Sequence, residues 1–425
     1  MHINIAKINF KQIGINIAKV DFSLYDVVNY KDEYLTLSAL GDGTITITIP
    51  SDVNATYATY LSYSKDKSNW TPTTINSTEQ IITIPVSAGE DVYLKGEAKQ
   101  WTNSGSSLYS TIINSTANII VSGNIMSLLY GDDFKDKTVF PSGSQYAFRE
   151  LFKSNRYLIN VENLILPATT LATYCYNGMF GGCSSLTTAP ALPATTLANY
   201  CYYQMFAYCN SLTTAPVLPA TTLAAGCYNS MFSGCSSLTT APVLPATTLA
   251  DNCYQSMFDG CSSLTTAPEL PATTLTNYCY HQMFYGCSSL TTAPELPATT
   301  LADSCYRGMF QWCSSLTTAP ELPATTLVKS CYRGMFQGCT SLTTAPELPA
   351  TTLASVCYSY MFNGCEKLSS ITMLATNISA TNCLSNWVSG VASTGTFTKA
   401  ASMTSLTTGE SGIPAGWTVV DYGAA

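Results

Sequence analysis

Cysteine is the residue type in this chain most able to do chemistry, and all 17 cysteines lie between Cys175 and Cys383. They come in pairs eight apart, first Cys175 with Cys183. Each pair recurs 26 residues on, through Cys357 with Cys365, which leaves Cys383 over. Thiols in such numbers suggest disulfides or a metal. Eight residues along a helix rise about 12 Å, beyond the roughly 7 Å between Cα atoms that a bridge can span. A helical reading therefore excludes bridges within a pair, and the odd seventeenth thiol speaks against bridges between pairs. Zinc needs converging thiolates or imidazoles, and the only histidines are His2 and His281. The expected role is packing, as small apolar side chains stacked in two ladders. No cofactor is expected.

Other reactive sets are weaker. A nucleophilic triad needs a histidine beside its Ser or Cys, and His281 occupies a slot that varies between copies. Glu269, Glu295, Glu321 and Glu347 stand before Leu-Pro in four successive copies. Carboxylates stacked about 4.8 Å apart repel unless solvated or bound to a cation. Ala191, Val217 and Val243 fill the same slot elsewhere, so a solvated charge row is expected, with weak calcium binding as the alternative. Ser184, Ser185, Thr187 and Thr188 also recur, and should form hydroxyl rows bonded along a ladder. No Gly-rich phosphate loop is present, and the chain reads as a non-enzyme.

What must position these residues is a strict repeat. Leu-Pro-Ala-Thr-Thr-Leu starts at Leu166, Leu192, Leu218, Leu244, Leu270, Leu296, Leu322 and Leu348. Such spacing predicts a solenoid of 26-residue coils, each sealing its neighbour's apolar side. Within a coil, Pro167 marks a turn, and Thr169 or Thr170 suits a helix cap. Leu171, Cys175, Met179 and Cys183, with Tyr176 and Phe180, read as the buried stripe of a short helix. Gly182 suits the left-handed residue at its end. Residues 185–189 read as a short parallel strand stopped by Pro190. Leu151, Phe152, Asn155 and Leu158 imitate the Met-Phe-x-x-Cys-x-x-Leu wording and predict a capping coil. Leu374, Cys383, Trp387 and Val388 predict another, with the 26-residue spacing kept.

Ahead of the repeats the period changes to two. Residues 44–49, 57–64, 80–86 and 91–96 alternate as strands, Asp42-Gly43 reads as a hairpin turn, and Pro50, Pro72 and Gly89 punctuate. An immunoglobulin-like sandwich is expected, with Trp70 in or against its core, or else stacking on a sugar. Residues 119–121 and 125–130 are further strand candidates. The first 24 residues alternate too, and Ile-Asn-Ile-Ala-Lys occurs at both Ile3 and Ile15, which suits first strands or a docking peptide. No apolar signal-peptide core is present there, so if Met1 is the true start no secretion by the usual signal is expected. The fold class expected is thus α+β and multidomain. An N-terminal β or docking segment occupies 1–30, the antiparallel sandwich 31–118, and a linker with the first cap 119–165. An α/β solenoid of eight coils follows at 166–373, then a C-terminal cap and tail at 374–425.

Only 10% of the 425 residues are charged and the net charge is −8. Between Val161 and Cys365 the only basic side chains are Arg307, Lys329 and Arg333. Nucleic acid, which needs clustered cations, is therefore not an expected partner. No apolar run reaches the roughly 18–20 residues that membrane insertion needs. Differences between copies concentrate in pairs four residues apart: Thr173-Tyr174, Asn177-Gly178 and Gly181-Gly182 in the first coil, and Asp303-Ser304, Arg307-Gly308 and Gln311-Trp312 further on. They are assigned to the outward helix face. Neutral drift accounts for them, and so does a recognition surface built from the residue types that anchor interfaces. Tyr174, Tyr200, Tyr203, Tyr208, Tyr278, His281, Tyr285, Arg307, Trp312 and Arg333 are the candidate binding residues.

The unit Gly-Cys-Ser-Ser-Leu-Thr-Thr-Ala-Pro-x-Leu-Pro-Ala-Thr-Thr-Leu-Ala-x-x-Cys-Tyr-x-x-Met-Phe resembles BspA-type leucine-rich repeats. It departs from them in having Met-Phe for Ala-Phe and a coil about three residues longer. The wording, and the stretch from Ala375 to Trp417, also resembles proteins of gut Bacteroides and of crAss-like phages. The resemblance implies a leucine-rich-repeat fold and surface adhesion. The first expectation is a phage virion fibre or decoration protein. It would dock to other virion structural proteins through its N-terminal region and attach to a host-surface glycan or protein. The alternative is a bacterial cell-surface adhesin. The sequence is compatible with a homo-oligomer.

Overall fold

The computed structural model describes residues 29–103 and 108–423. The duplicated Ile-Asn-Ile-Ala-Lys stretch, His2 and nearly all of the expected docking segment lie outside them. The described chain is mostly β with few helices. Its N-terminal part holds strands β1 (Leu35–Ala39), β2 (Gly43–Ile49), β3 (Ala58–Ser64), β4 (Thr71–Thr74), β5 (Gln80–Val86), β6 (Asp91–Ala98), β7 (Ile112–Ser115) and β8 (Ile119–Asn124). One sheet runs β8-β1-β6-β3-β4 and the other β5-β2-β7. Alternation works as expected in β2, where Ile45, Ile47 and Ile49 are buried and the threonines between them are half-buried. Asp42-Gly43 does not close a hairpin. β1 pairs with β6 and β8 while β2 pairs with β5 and β7, so the turn carries the chain from one sheet to the other. Pro72 sits inside β4, which is tolerable because β4 is an edge strand. Trp70 is half-buried beside Tyr34, with the Lys95 ammonium 4.1 Å from its ring centre. Buried in this N-terminal part instead is Trp101, whose Nε1 donates to the Leu128 carbonyl.

Residues 119–165 are not a linker. β8 pairs in parallel with β9 (Leu158–Asn160) and β10 (Leu164–Ile165), so the N-terminal sheet runs straight into the repeats. Residues 125–130 do not form a strand. Asn124 Oδ1 accepts from the Met126 N–H, an Asx turn that stops β8, and the helical turn α1 (Ser127–Tyr130) follows. Residues 148–158 pack against the first repeat. Phe152 stacks on Phe180 and Phe148 on Tyr176. Asn155 fills the thiol slot, where it accepts from Ser115 Oγ and so bonds cap to sheet. The Ile113 and Trp101 N–H groups donate to the Leu151 and Ala147 carbonyls, and one hydrophobic core extends from Leu35 to Trp417.

Each repeat departs from the expected helix. Residues 173–182 form consecutive four-residue turns. Cys175, Asn177, Met179 and Gly181 donate their N–H three residues back, whereas Tyr174, Tyr176, Gly178, Phe180 and Gly182 donate to the next coil, at Asn199, Cys201, Tyr203, Met205 and Ala207. A helix would spend every N–H internally; here half of them join neighbouring coils. A left-handed residue ends each turn, as at Tyr174, Gly178 and Gly182. The strand after Leu186 shrinks as well, to single parallel bridges such as Thr214↔Thr240 and Thr240↔Thr266. Pro190 and Pro193 each lack a donor, so no longer ladder can form. Where those prolines are absent a strand does appear, as β11 (Ser370–Met373), which pairs with β12 (Thr396–Lys399) and then β13 (Thr418–Asp421). The C-terminal spacing is not kept either: Leu348 pairs with Met373, one residue short of 26, and the residue is regained by Cys383.

Candidate functional site

Stacking identical coils puts each side chain above its own counterpart. Phe180, Phe206, Phe232 and their successors to Phe362 form a buried ladder with centroids 5.5–5.8 Å apart. The Tyr176 to Tyr358 ladder runs beside it at 5.7–6.1 Å. All described cysteines are free and buried. The helical distance argument lapses with the helix, yet the thiols do stand in two rows. In the second row each thiol donates to a phenylalanine carbonyl one coil back, as Cys261 does to Phe232 at 3.2 Å. Burial pushes the Cys183 thiol up to about 12. A nucleophilic or metal-binding thiolate needs the opposite shift. Among the described residues no group of three or more His, Cys, Asp or Glu side chains could hold a metal ion. The Glu269, Glu295, Glu321 and Glu347 row is exposed.

The variable pairs sit at the corners of the turns, and no helix face exists. From Asn177-Gly178 onward the first member of each pair offers its carbonyl to the coil before, and the second takes the left-handed conformation. The backbone is pinned at both residues while the side chains are free to differ. Of the ten candidates, Tyr208, Tyr278 and Trp312 are exposed, the first at 61% and the last at 49%. Tyr174, Tyr200, Tyr203, His281, Tyr285, Arg307 and Arg333 are half-buried. Two of the exposed rings, Tyr208 and Trp312, are seated on glycines of the following coil. A Cβ at Gly234 would lie 2.6 Å from the Tyr208 ring, and one at Gly338 only 2.4 Å from Trp312.

The candidates form separate clusters along the stack. Tyr146, Tyr174 and Tyr200 stack at 5.3 and 5.0 Å, with Tyr203 edge-on to Tyr200. Tyr278 meets His281 edge-on at 5.7 Å. Burial pulls the His281 imidazole down to about 4, helped by the charge of Arg307. Further along, Tyr285, Arg307 and Arg333 line an open groove of about 400 Å³ together with Gln282, Gln311, Gln337 and Tyr360. These last four were not among the candidates. They occupy the same variable slots, and that was the signal available to find them.

A family model described as the BspA type leucine-rich repeat region matches six copies, over residues 152–291 and 277–391. No curated protein and no solved structure matches the chain. The matched stretches run from residue 152 to residue 391, more than half of the 425 residues, and the chain belongs to the BspA-type leucine-rich repeat family.

Proposed function

We propose that this is a non-enzymatic adhesion protein. In this reading the stacked coils form a solenoid, and the N-terminal sheets, read as an immunoglobulin-like sandwich, mount it. The observation that carries it is the concentration of variation at turn corners whose backbone is hydrogen-bonded to the neighbouring coil. Side chains there differ between coils while the backbone bonds repeat, and those displayed include exposed Tyr208, Tyr278 and Trp312. Such aromatics dominate the binding energy of many interfaces, and a host-surface glycan or protein is the partner they suit. The buried, neutral thiols speak for packing rather than catalysis. Labelled full-length chain should attach to target cells or to an arrayed glycan, and Tyr208→Ala with Trp312→Ala should weaken attachment at least tenfold. Attachment to no cell or glycan, or attachment indifferent to both substitutions, would refute the reading.

The setting we propose is a phage virion, with other virion proteins as docking partners; its support is the wording the repeats share with crAss-like phage proteins. The bacterial cell surface is the alternative, and BspA-type membership supports display in either setting. Mass spectrometry of purified virions decides between them: a copy in the particle supports the first, and a copy only in the bacterial envelope supports the second. No helix of the described residues is long and apolar enough to cross a membrane.

A further inference from the structure

Two of the three cations between Val161 and Cys365 point into one groove. Arg307 and Arg333 fill the same slot in adjacent coils of a chain whose net charge is −8. Among the described residues neither guanidinium has an ion pair or a hydrogen bond, and Arg333 lies 6.0 Å from the Tyr360 ring centre. Burial lowers the Arg307 pKa, and the charge of Arg333 adds to the effect. Stacking like charges is unfavourable unless something negative lies between them.

The shape of the groove follows from the next slot. Each arginine is followed by a glycine, Gly308 or Gly334, where the preceding coil carries Gln282 and the following coil Tyr360. A Cβ at Gly308 would already be 3.1 Å from Gln311 Oε1 and 3.2 Å from Gln282 Cγ. The two missing side chains open a trough two coils long, closed at both ends by larger residues. Its wall is a row of amides, with Gln311 Nε2 donating to Gln337 Oε1 and Gln337 Nε2 to Asn363 Oδ1. The lining is polar, with no apolar pocket of the kind a peptide side chain fills.

We propose that this trough binds an acidic saccharide. The carboxylate of a uronic or sialic acid unit would bridge Arg307 and Arg333, with the sugar hydroxyls on the glutamine row. Planar guanidinium forks match a carboxylate in two-point contact, and amides and phenols are what sugar hydroxyls and ring faces require. The assignment rests on the adhesion reading above and supplies its ligand class.

Calorimetric titration of the full chain with trigalacturonate, 3′-sialyllactose, lactose and a sulfated galactoside tests it. The two carboxylated sugars should bind, more weakly as salt rises, and lactose should not. Arg307→Gln or Arg333→Gln should each cost roughly tenfold or more, and Lys329→Gln, at an exposed corner outside the trough, should cost little. Gly308→Gln restores the side chain of the preceding coil, whose Gln282 adopts the same left-handed backbone, and should block binding in a chain that circular dichroism still shows folded, with the melting temperature lowered by the left-handed strain. Equal binding of lactose, preference for the sulfated sugar, no binding of either carboxylated sugar, or full binding by the folded Arg307→Gln/Arg333→Gln variant would overturn the assignment. If that double variant still attaches to cells like the parent, the ligand class alone falls. If the parent attaches to nothing, the adhesion reading falls.

Discussion

The N-terminal sheets and the repeated coils solve the same packing problem under different constraints. In the sheets every strand meets a different neighbour, so opposite charges can be paired. Lys65 with Glu90, Lys95 with Asp132 and Arg149 with Glu150 all lie in the sheets or the first cap. In the repeats each core side chain meets a copy of itself, and among the described residues no ion pair occurs there. Self-stacking favours groups that attract their own kind: offset rings, amides, hydroxyls and thiols. Charge is self-repelling, and this is one reason the chain carries so little of it. The Glu row survives by standing in solvent. The Arg307 and Arg333 pair breaks the rule while half-buried, which is why it reads as a binding feature rather than a packing one.

Breaking a self-stacked ladder gives the largest expected effect. Phe258 is buried between Phe232 and Phe284, and Phe258→Asp puts an unpaired carboxylate there, at a cost of about 4 kcal/mol or more. Because each coil touches only its neighbours, amide exchange should rise across coils 232–284 while β1, β2 and β6 stay protected. Ile47→Asp should do the reverse. If either substitution exposes both regions equally, the two are one cooperative unit and the contrast fails.

Next comes the seating of rings on glycines. Gly338 has φ +74 and lies under Trp312. Gly338→Leu should combine left-handed strain with displacement of the ring, for about 2–3 kcal/mol in total. A red-shifted tryptophan emission with a lowered melting temperature is expected; an unchanged spectrum would show that the ring does not rest there.

These glycines also show what was legible in the sequence and what was not. The alternating Thr and Ile of β2 announced a strand because period two has no rival interpretation. Leu171, Cys175, Met179 and Cys183 announced burial correctly and geometry wrongly. At 100° per residue those four positions, with Tyr176 and Phe180, spread over about 180° of a helix, half its circumference and wider than the roughly 100° stripe of an amphipathic one. A spacing of four without drift belongs to four-residue turns. The left-handed residue at Gly182 was readable; those at Tyr174 and Tyr200 were not, because aromatics give no sign of it. The ten candidates were found by variation between copies, which locates a row but not the trough within it. The trough is defined by absent side chains at Gly308 and Gly334, and only stacking reveals what those absences open.

A smaller effect concerns pH. His281 holds its imidazole at about 4 in the folded chain, against about 6.5 when unfolded. Between those values the unfolded state binds the extra proton, so stability should fall as pH drops from about 6.5 to 4, by up to about 3 kcal/mol, and no further below. Asp259, pushed up by burial, acts in the opposite sense, favouring the folded state as acid is added through the carboxylate range. Denaturant midpoints from pH 7 to 4 should therefore drop less in His281→Gln than in the parent. Equal slopes would show that His281 is solvated.

The smallest effect separates rings from hydroxyls. The Tyr280 hydroxyl is buried with no hydrogen-bond partner among the described residues, and burial raises its pKa well above the usual phenol value. An unsatisfied buried hydroxyl opposes folding by about 1–3 kcal/mol, while the ring itself stacks on Tyr254 and Tyr306 at 5.8 and 5.7 Å. Tyr280→Phe keeps both ring contacts and removes the orphaned group, so the melting temperature should hold or rise by a few degrees. The sheets give the opposite case: Trp101 Nε1 donates to the Leu128 carbonyl at 3.1 Å, and Trp101→Phe removes that bond, leaves the carbonyl bare and must destabilise. If Tyr280→Phe lost as much as Trp101→Phe, the repeats would depend on the same directed polar contacts as the sheets, and self-stacking would not be what holds them.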